Sequence, residues 1–287
     1  MKRVGFAWAE RGSCRHPEMM TIKGGSLCGV DFPAMVGIIR HPDAGILLFD
    51  TGYDPYFLEA TRPFPERLYR WATPVALDPE DDVDSWLARQ GAGKEDVRYL
   101  ILSHFHGDHV AGLRNFPNAR IFCSSAGLAR IRSGNRLSRV AKGLLAALVP
   151  DDLAARAAFF EALPPVPLPA AFAPYESGHD LLGDGALLAV ELPGHCPGHW
   201  GLALRTEDDR FVLLAADAAW SIAAIERDVP PPRITTALLG DTPLYRRTLA
   251  ALHAASEANR ELVILPSHCP IAARRFSSPL PGGERVG

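Results

Sequence analysis

Ser103-His104-Phe105-His106-Gly107-Asp108-His109 is the most informative stretch of this 287-residue chain. It holds three imidazoles and one carboxylate, and it directly follows the apolar run Val97 to Leu102. Imidazole nitrogen and carboxylate oxygen suit borderline divalent ions such as zinc, with iron, manganese and cobalt as competitors. The stretch therefore predicts a metal site just past the end of a strand.

The spacing within this stretch favours two metal ions over one. His104 and His106 alternate as on an extended segment, so both side chains can face the same ion. Asp108 and His109 are adjacent and face a neighbouring position. Because one tetrahedral ion cannot readily take all four groups from so tight a turn, a two-ion site needs ligands from elsewhere in the chain.

Three further strand-like runs end at residues that could supply those ligands. The pairs of run and candidate are Ala186 to Leu192 with His195, Phe211 to Ala216 with Asp217, and Glu261 to Leu265 with His268. Apolar runs of this length, bounded by turn residues, predict buried strands. If all four strands end at one edge of a sheet, the candidate ligands meet there; they are His104, His106, Asp108, His109, His195, Asp217 and His268.

The pattern resembles that of the metallo-β-lactamase-fold hydrolase superfamily. H-x-H-x-D-H followed by a lone His, a lone Asp and a last His carries the resemblance, together with the turn Phe49-Asp50-Thr51-Gly52, which is similar to the superfamily's Asp-Thr-Gly loop. The resemblance covers about residues 33 to 270. It implies an α/β fold, a four-layer αββα sandwich, with the metal ions at one edge of the sheets.

The resemblance also implies how the ligands are divided. One ion would be held by His104, His106 and His195, the other by Asp108, His109 and His268, with Asp217 and a hydroxide bridging them. Asp50 would orient a ligand imidazole by hydrogen bonding. Because the true lactamases of this fold carry Cys in place of the bridging Asp, Asp217 argues against a β-lactamase.

Within the superfamily, the local sequence is most similar to N-acyl homoserine lactonases. The matching segments are Arg40 to Gly52, Pro193 to His199, and Asp217. Those lactonases carry a Tyr three residues after the bridging Asp, where this chain has Trp220. An indole N–H donates a hydrogen bond but cannot act as a phenolic acid, so Trp220 is a predicted substrate-binding residue and not an acid.

The predicted function is a dinuclear metal-dependent hydrolase that opens a lactone or cleaves a related carboxylic ester. Two divalent ions lower the pKa of a bridging water from about 15.7 to about 7, so that hydroxide can attack at neutral pH. The second ion, or Asp108 as a catalytic acid, would assist the departing alkoxide. A thioesterase similar to glyoxalase II and a phosphodiesterase remain alternatives. A non-catalytic member of the fold would show degraded ligands, and none is degraded here.

Neighbours of the predicted ligands have other expected roles. His199 follows His195 by four positions, and we expect it to support the loop through hydrogen bonds. Cys196 and Cys269 adjoin ligand histidines and could be soft alternative ligands. Because neighbouring side chains on an extended loop point apart, packing is the favoured role of both cysteines.

Composition agrees with a compact enzyme that acts on a small molecule, predicted to be an apolar acyl lactone or ester. A net charge of −3 gives no general affinity for nucleic acid. Five cysteines without a C-x-x-C pattern suggest no disulfide framework, and we expect a cytoplasmic location. The run Val4 to Ala9 is too short for a signal peptide, and no stretch approaches a membrane span of about 20 residues. Nothing in the sequence fixes the oligomeric state.

We predict a single domain over residues 1–276, with a helical insertion at about 126–162 and a disordered tail at 277–287. The insertion carries a basic face, which is either solvated or binds an anionic substrate; its members are Arg130, Arg132, Arg136, Arg139 and Lys142. The aromatic segment Tyr53 to Leu77, followed by the acidic run Asp78 to Asp84, either walls an apolar pocket beside the metals or packs the sandwich.

Overall fold

The structure is a computed structural model that describes residues 1–77, 87–89 and 91–272. The acidic run Asp78 to Asp84 and the predicted tail 277–287 lie outside the described residues. So do the last four positions of the predicted domain, 273–276.

The first sheet begins with a long hairpin. Strand β1 (Arg3–Pro17) pairs antiparallel with β2 (Gly29–His41), which pairs antiparallel with β3 (Gly45–Phe49). The remaining strands of this sheet are β4 (Val75–Ala76), β5 (Val97–Ile101), β6 (Arg120–Cys123) and β7 (Ala157–Phe159). Strands β3, β5, β6 and β7 run parallel in that order, while β4 pairs with β1.

The second sheet is formed by the C-terminal half of the chain. Its strands are β8 (Pro165–Pro167), β9 (Ser177–Asp180), β10 (Leu187–Glu191), β11 (Trp200–Thr206), β12 (Phe211–Ala216) and β13 (Val263–Pro266). They lie side by side in this order, antiparallel except for the parallel pair β12 and β13. The start of β1 pairs with the end of β11 and joins the two sheets.

Helices connect the strands. They are α1 (Pro55–Ala60), α2 (Arg67–Ala72), α3 (Gly107–Val110), α4 (Ser125–Arg132), α5 (Arg136–Ala141), α6 (Leu153–Arg156), α7 (Ile222–Glu226), α8 (Arg233–Leu239) and α9 (Thr242–Ala258). Several begin where a polar side chain accepts a backbone N–H of the first turn; these N-caps are Asp54, Ser124, Asn135, Ser221 and Asp241. Single 3₁₀ turns cover Glu18–Met20, Lys94–Asp96, Leu113–Asn115, Ala146–Leu148, Phe160–Ala162 and Ala170–Phe172.

Three clusters of buried apolar side chains separate four layers. Trp8 of the first sheet and Leu202 of the second belong to the central cluster, which lies between the sheets. Phe57 of α1 belongs to a cluster on the outer face of the first sheet, and Leu249 of α9 to a cluster on the outer face of the second. This arrangement confirms the predicted αββα sandwich.

The four strands predicted to end at candidate ligands are confirmed to within two residues at each end. Their following loops are joined by backbone hydrogen bonds. Ser267 N–H donates to Ala216 O at 3.1 Å, and Trp200 N–H donates to Ser103 O at 2.9 Å. The second of these bonds connects the two sheets directly beside His104. The loops that carry the candidate ligands therefore meet at one edge of the sandwich.

The end of the predicted helical insertion differs from expectation. Residues Ala157–Phe159 form strand β7, which extends the parallel edge of the first sheet beyond β6. Phe160 then packs its ring 5.1 Å from that of Trp200, in the core between the sheets. The sheet pairing of Ala157–Phe159 and the core packing of Phe160 thus override the helical pattern of this segment.

Candidate metal centre

Three ring nitrogens converge at the end of β5. His104 Nε2 and His195 Nε2 lie 3.0 and 2.9 Å from His106 Nδ1. All three side chains are buried. Such a convergence of imidazole nitrogens is the donor set that zinc and similar ions take in proteins.

A second group lies on the other side of the same loop. Helix α3 begins at Gly107, so Asp108 and His109 project from its first turn towards His268. Asp108 Oδ2 lies 3.0 Å from His268 Nε2 and 3.4 Å from His109 Nε2. The ligand atoms of these three residues all lie within 4.8 Å of one another. One carboxylate and two imidazoles could therefore hold a second ion.

Asp217 lies between the two groups, and its two oxygens face different ones. Oδ2 is 3.3 Å from His195 Nε2 and 4.0 Å from His104 Nε2. Oδ1 is 3.3 Å from His109 Nε2 and 3.2 Å from His268 Nε2. The structure thus brings all seven predicted ligands together, with one carboxylate in contact with both sets.

The outer nitrogens of several of these imidazoles have partners of their own. His109 Nδ1 lies 2.7 Å from Asp50 Oδ2, and His268 Nδ1 donates to Pro33 O at 2.7 Å. His104 Nδ1 lies 2.9 Å from Ser103 Oγ. These contacts fix each ring so that Nε2 faces the centre, as the outer partners of metal-binding histidines do.

The turn that carries Asp50 also anchors helix α3. Asp50 accepts hydrogen bonds from Ser103 N–H at 2.8 Å and Ser103 Oγ–H at 2.7 Å. Thr51 donates from its backbone N–H and its hydroxyl to His109 O. At Gly52, with φ +67°, an added Cβ would lie only 2.3 Å from Arg11 Cβ, so no other residue fits without movement. Asp50 itself has φ +61°, which points to a conformation held by its surroundings.

His199 contacts backbone on both sides of its ring. Nδ1 donates to Leu192 O at 2.9 Å, and Nε2 accepts from Asp217 N–H at 3.1 Å. Burial lowers the pKa of His199 to about 4, so the ring is neutral at physiological pH. It therefore connects the end of β10 to the loop that carries Asp217.

Trp220 lies beside the centre, but its N–H already has an acceptor. Nε1 donates to Asp217 Oδ2 at 3.0 Å, and the indole stacks edge-on against the His195 ring at 5.7 Å between centroids. The loop that carries it is tied to the neighbouring one, because Ile222 N–H donates to Cys269 Sγ at 3.4 Å. The ring itself borders the adjoining cavity.

The charges of the cluster are strongly coupled. Burial alone would raise the pKa of Asp217, but His268, His109 and His195 together lower it well below its usual range. Burial lowers the pKa values of His104 and His195 well below the ordinary value for histidine. Burial alone would lower the pKa values of His109 and His268 too, but neighbouring carboxylates, Asp108 and Asp217 among them, raise both above the ordinary value. The buried anion therefore lies beside two neutral imidazoles with free electron pairs and two that favour the protonated form, and divalent ions could take the place of those protons.

The buried donor atoms fit divalent ions. Among the residues that the structure describes, His109 Nε2 and Asp217 Oδ1 are buried side-chain atoms with no hydrogen-bond partner. Both atoms lie between the two groups and are shielded from solvent. Since unpaired buried polar atoms are costly, ions bound to them would satisfy the donor set.

Cys196 also approaches the first group. Its sulfur lies within 4.8 Å of the donor nitrogens of His104, His106 and His195. Burial raises the pKa of the Cys196 thiol well above its usual range. Because the thiolate is the metal-binding form, this environment favours a packing role.

An apolar cavity of about 530 Å³ opens from the centre. Its floor includes Asp108, Asp217 and His268, and its walls come from α2, α5 and α8. The aromatic segment Tyr53 to Leu77 does both things that its sequence suggested. Tyr53 and Phe57 pack in the core, while Tyr69 faces the cavity.

The cavity walls include residues that sequence reasoning did not identify. They are Cys14 and His16 of β1 and Thr235, Leu238 and Leu239 of α8. Sequence reasoning also did not identify Ser103 as the hydrogen-bond partner of Asp50. Ser103 adjoins His104, which was an available signal. The residues of α8 have ordinary side chains and gave none.

The basic face of the insertion is largely occupied within the molecule. Arg136 Nη2 lies 2.6 Å from Glu66 Oε2, and Arg139 Nη1 donates to Gly134 O at 2.7 Å. Lys142 Nζ donates to Leu238 O at 3.2 Å. Arg136 and Lys142 thus connect elements around the cavity, whereas Arg139 holds the loop before its own helix. Across residues 1–77, 87–89 and 91–272, the helices are too short or too polar to span a bilayer.

The sequence model of the Metallo-beta-lactamase superfamily matches residues 29–268. An N-acyl homoserine lactonase from a Bacillus species is 25% identical over 233 residues, covering 80% of this chain and 81% of the relative. N-acyl homoserine lactonase AiiB of Agrobacterium fabrum is 26% identical, with coverage of 83% and 80%. An N-acyl homoserine lactonase of Bacillus cereus is 26% identical over 194 residues, and the match covers 67% of this chain and 66% of the relative.

Solved structures show the same architecture. One is an N-acyl homoserine lactone hydrolase with the product N-hexanoyl-L-homoserine at its catalytic metal centre, with a TM-score of 0.74 and 19% identity over 96% of this chain and 97% of the other. Another is AidC, a dizinc quorum-quenching lactonase, with a TM-score of 0.63, 14% identity, and coverage of 94% and 90%. With the family match over residues 29–268, these findings lead to one conclusion: the chain belongs to the metallo-β-lactamase superfamily of hydrolases.

Proposed function

We propose that this protein is a dinuclear metal-dependent hydrolase that opens lactones, or cleaves related esters, of apolar carboxylic acids. The observation that carries the proposal is the position of Asp217, whose two oxygens face two separate groups of histidines. This centre forms the floor of an apolar cavity of about 530 Å³.

The proposed ligands are divided as the distances suggest. His104, His106 and His195 would hold one ion, Asp108, His109 and His268 the other, and Asp217 would contact both. When bound, two divalent ions, with zinc as our expectation, supply a water-derived nucleophile at neutral pH and polarise a carbonyl group. Asp50 would hold His109 in position through the bond to Nδ1.

Asp108 is the proposed catalytic carboxylate. It borders the cavity, and burial would raise its pKa, but His109 and His268 lower that pKa well below its usual range. Asp108 is therefore an anion at neutral pH. It can accept the proton of the added hydroxyl group as the tetrahedral adduct collapses. The protonated carboxyl can then act as the acid that returns this proton to the departing alkoxide.

The apolar walls support an acyl chain as part of the substrate. Leu68, Val140 and Leu239 line the cavity between the centre and the surface. Named relatives hydrolyse N-acyl homoserine lactones, which combine a lactone with an acyl chain. A glutathione or coenzyme A thioester would need polar and cationic walls, whereas none of the described residues that line the cavity is Lys or Arg.

Trp220 has a different proposed role from that of a carbonyl donor. Because its N–H is bonded to Asp217 Oδ2, it orients the carboxylate, and its ring contributes a wall of the substrate cavity. Because the N–H is occupied, Trp220 would contact the substrate only through the face of its ring.

A substrate panel tests the proposed function. Purified metal-loaded protein should hydrolyse a medium-chain acyl lactone with kcat/KM at least about a hundredfold above that for a glutathione thioester or bis-p-nitrophenyl phosphate. Asp217→Asn, assayed in parallel, should lose the activity with every substrate. Preferred hydrolysis of the phosphodiester or the thioester would overturn the lactonase assignment while leaving the family intact.

Metal removal should destabilise the fold as well as stop catalysis. Ions that bind only the native state, at about a thousandfold their Kd, add about 4 kcal/mol, which corresponds to about 10 °C in Tm for a chain of this size. Thermal unfolding with and without a chelator measures the shift, and Asp217→Asn should show little of it. An unchanged Tm after complete chelation would contradict the expected contribution of metal binding to the stability of the fold.

Asp50→Asn should weaken metal binding without removing a ligand. The amide keeps the shape but loses the charge that holds His109, and such outer partners contribute about 10–100-fold in metal affinity. Competition with a fluorescent zinc chelator gives the affinity. Asp54→Asn is the matched control, because Asp54 caps α1 and does not contact a histidine in the centre. Equal losses in both variants would exclude an orienting role for Asp50.

Trp220→Phe separates the two roles of the indole. Loss of the N–H should accelerate metal release to a chelator by about tenfold, as for other outer partners, and lower kcat with little change in KM. Trp71→Phe is the control, because Trp71 is 67% exposed. A raised KM with unchanged metal release would instead indicate that the N–H serves the substrate.

A further inference from the structure

The exposed apolar side chains of this protein are concentrated around one opening. In the described part of the chain, six large hydrophobic side chains are more than half exposed, and five of them lie on or beside α2, α5 and α8. These five, which we call the mouth surface, are Phe64 (65%), Trp71 (67%), Leu137 (55%), Ile234 (75%) and Leu238 (52%).

The mouth surface is continuous with the cavity. Leu137 and Leu238 line the cavity and are also about half exposed, so the opening passes between α5 and α8. The three helices are joined around it. Arg136 Nη2 donates to Phe64 O at 3.1 Å, and Lys142 Nζ donates to Leu238 O at 3.2 Å.

These helices carry cations and no carboxylates. The sequences of α2, α5 and α8 contain five arginines and neither Asp nor Glu; the arginines are Arg67, Arg70, Arg136, Arg139 and Arg233. Arg136 is paired with Glu66. Arg139 is also close enough to Glu66 to lower the pKa of that carboxyl. Arg67 and Arg70 donate to backbone carbonyls, which do not neutralise their charge. The apolar tips therefore lie among positive charges.

We propose that the mouth surface docks on an anionic lipid surface. Aromatic and aliphatic tips next to arginines are the composition of segments that bind at the interface of a bilayer, where the apolar groups enter the headgroup region. Anionic headgroups attract each arginine near the surface. A second copy of the chain fits less well, because a symmetric contact would place the arginines of one copy against those of the other.

The choice of lipid over an acidic protein rests on the proposed function. A lactone or ester with an apolar chain partitions into lipid, and docking places the cavity opening against that store of substrate. The chain needs no membrane-spanning helix for this, since interfacial binding uses only the tips of the three helices.

Vesicle sedimentation tests the docking without any substrate. The metal-loaded protein should sediment with vesicles of phosphatidylcholine and phosphatidylglycerol in equal parts, much less with phosphatidylcholine alone, and less at high salt. Trp71→Ser combined with Ile234→Ser should weaken binding at least about tenfold, because neither side chain lines the cavity but both are exposed. Arg233→Ala should weaken it about fivefold.

Arg260→Ala is the matched control. Arg260 is an exposed arginine before the start of β13, whereas His268 of the metal centre follows the end of that strand. Equal sedimentation of the control and the mouth variants would overturn the proposal. So would absence of vesicle binding together with a dimer, seen by light scattering, that Trp71→Ser with Ile234→Ser dissociates. Hydrolysis of a short-chain lactone in vesicle-free buffer reports the proposed function separately, and the mouth variants should retain it.

Discussion

The buried carboxylate of Asp217 is the group on which the rest of this structure depends. An isolated buried charge costs several kcal/mol, and here four imidazole nitrogens surround the two oxygens at 3.2–4.0 Å. No single segment could supply those neighbours. They come from the loops after β5, β10 and β13, so the sandwich must close correctly before the charge is compensated. Fold and site are thus one cooperative unit.

Hydrogen bonds from surrounding residues hold the rings of the centre and Asp217 in position. Asp50, Ser103 and Pro33 hold three of the rings, and His199 and Trp220 hold Asp217 itself. Ala216 adopts φ +44°, an unusual value for alanine, directly before Asp217. Backbone strain at this point is supported by the pairing of β12 with β13, and it directs the carboxylate into the centre.

The sequence predicted that the seven candidate ligands meet at one edge of the sheets, because each follows a short apolar strand and such runs have a clear pattern. The resemblance of its turn predicted that Asp50 orients a ligand imidazole. Which imidazole it contacts, that of His109, is seen only in the structure. The N–H direction of Trp220 could not be predicted, since it depends on a χ angle set by packing against His195. The walls from α8 were missed because Thr235 and Leu238 belong to no chemical motif. Ala157–Phe159 pairs as a strand only because the edge of β6 is available.

The proposed two-ion centre is tested most directly by a crystal structure of the metal-loaded protein with anomalous scattering at the metal edge. We expect two peaks, one among His104, His106 and His195 and one among Asp108, His109 and His268, each contacting a different oxygen of Asp217. A single peak, or two ions that both leave Asp217 uncoordinated, would contradict it.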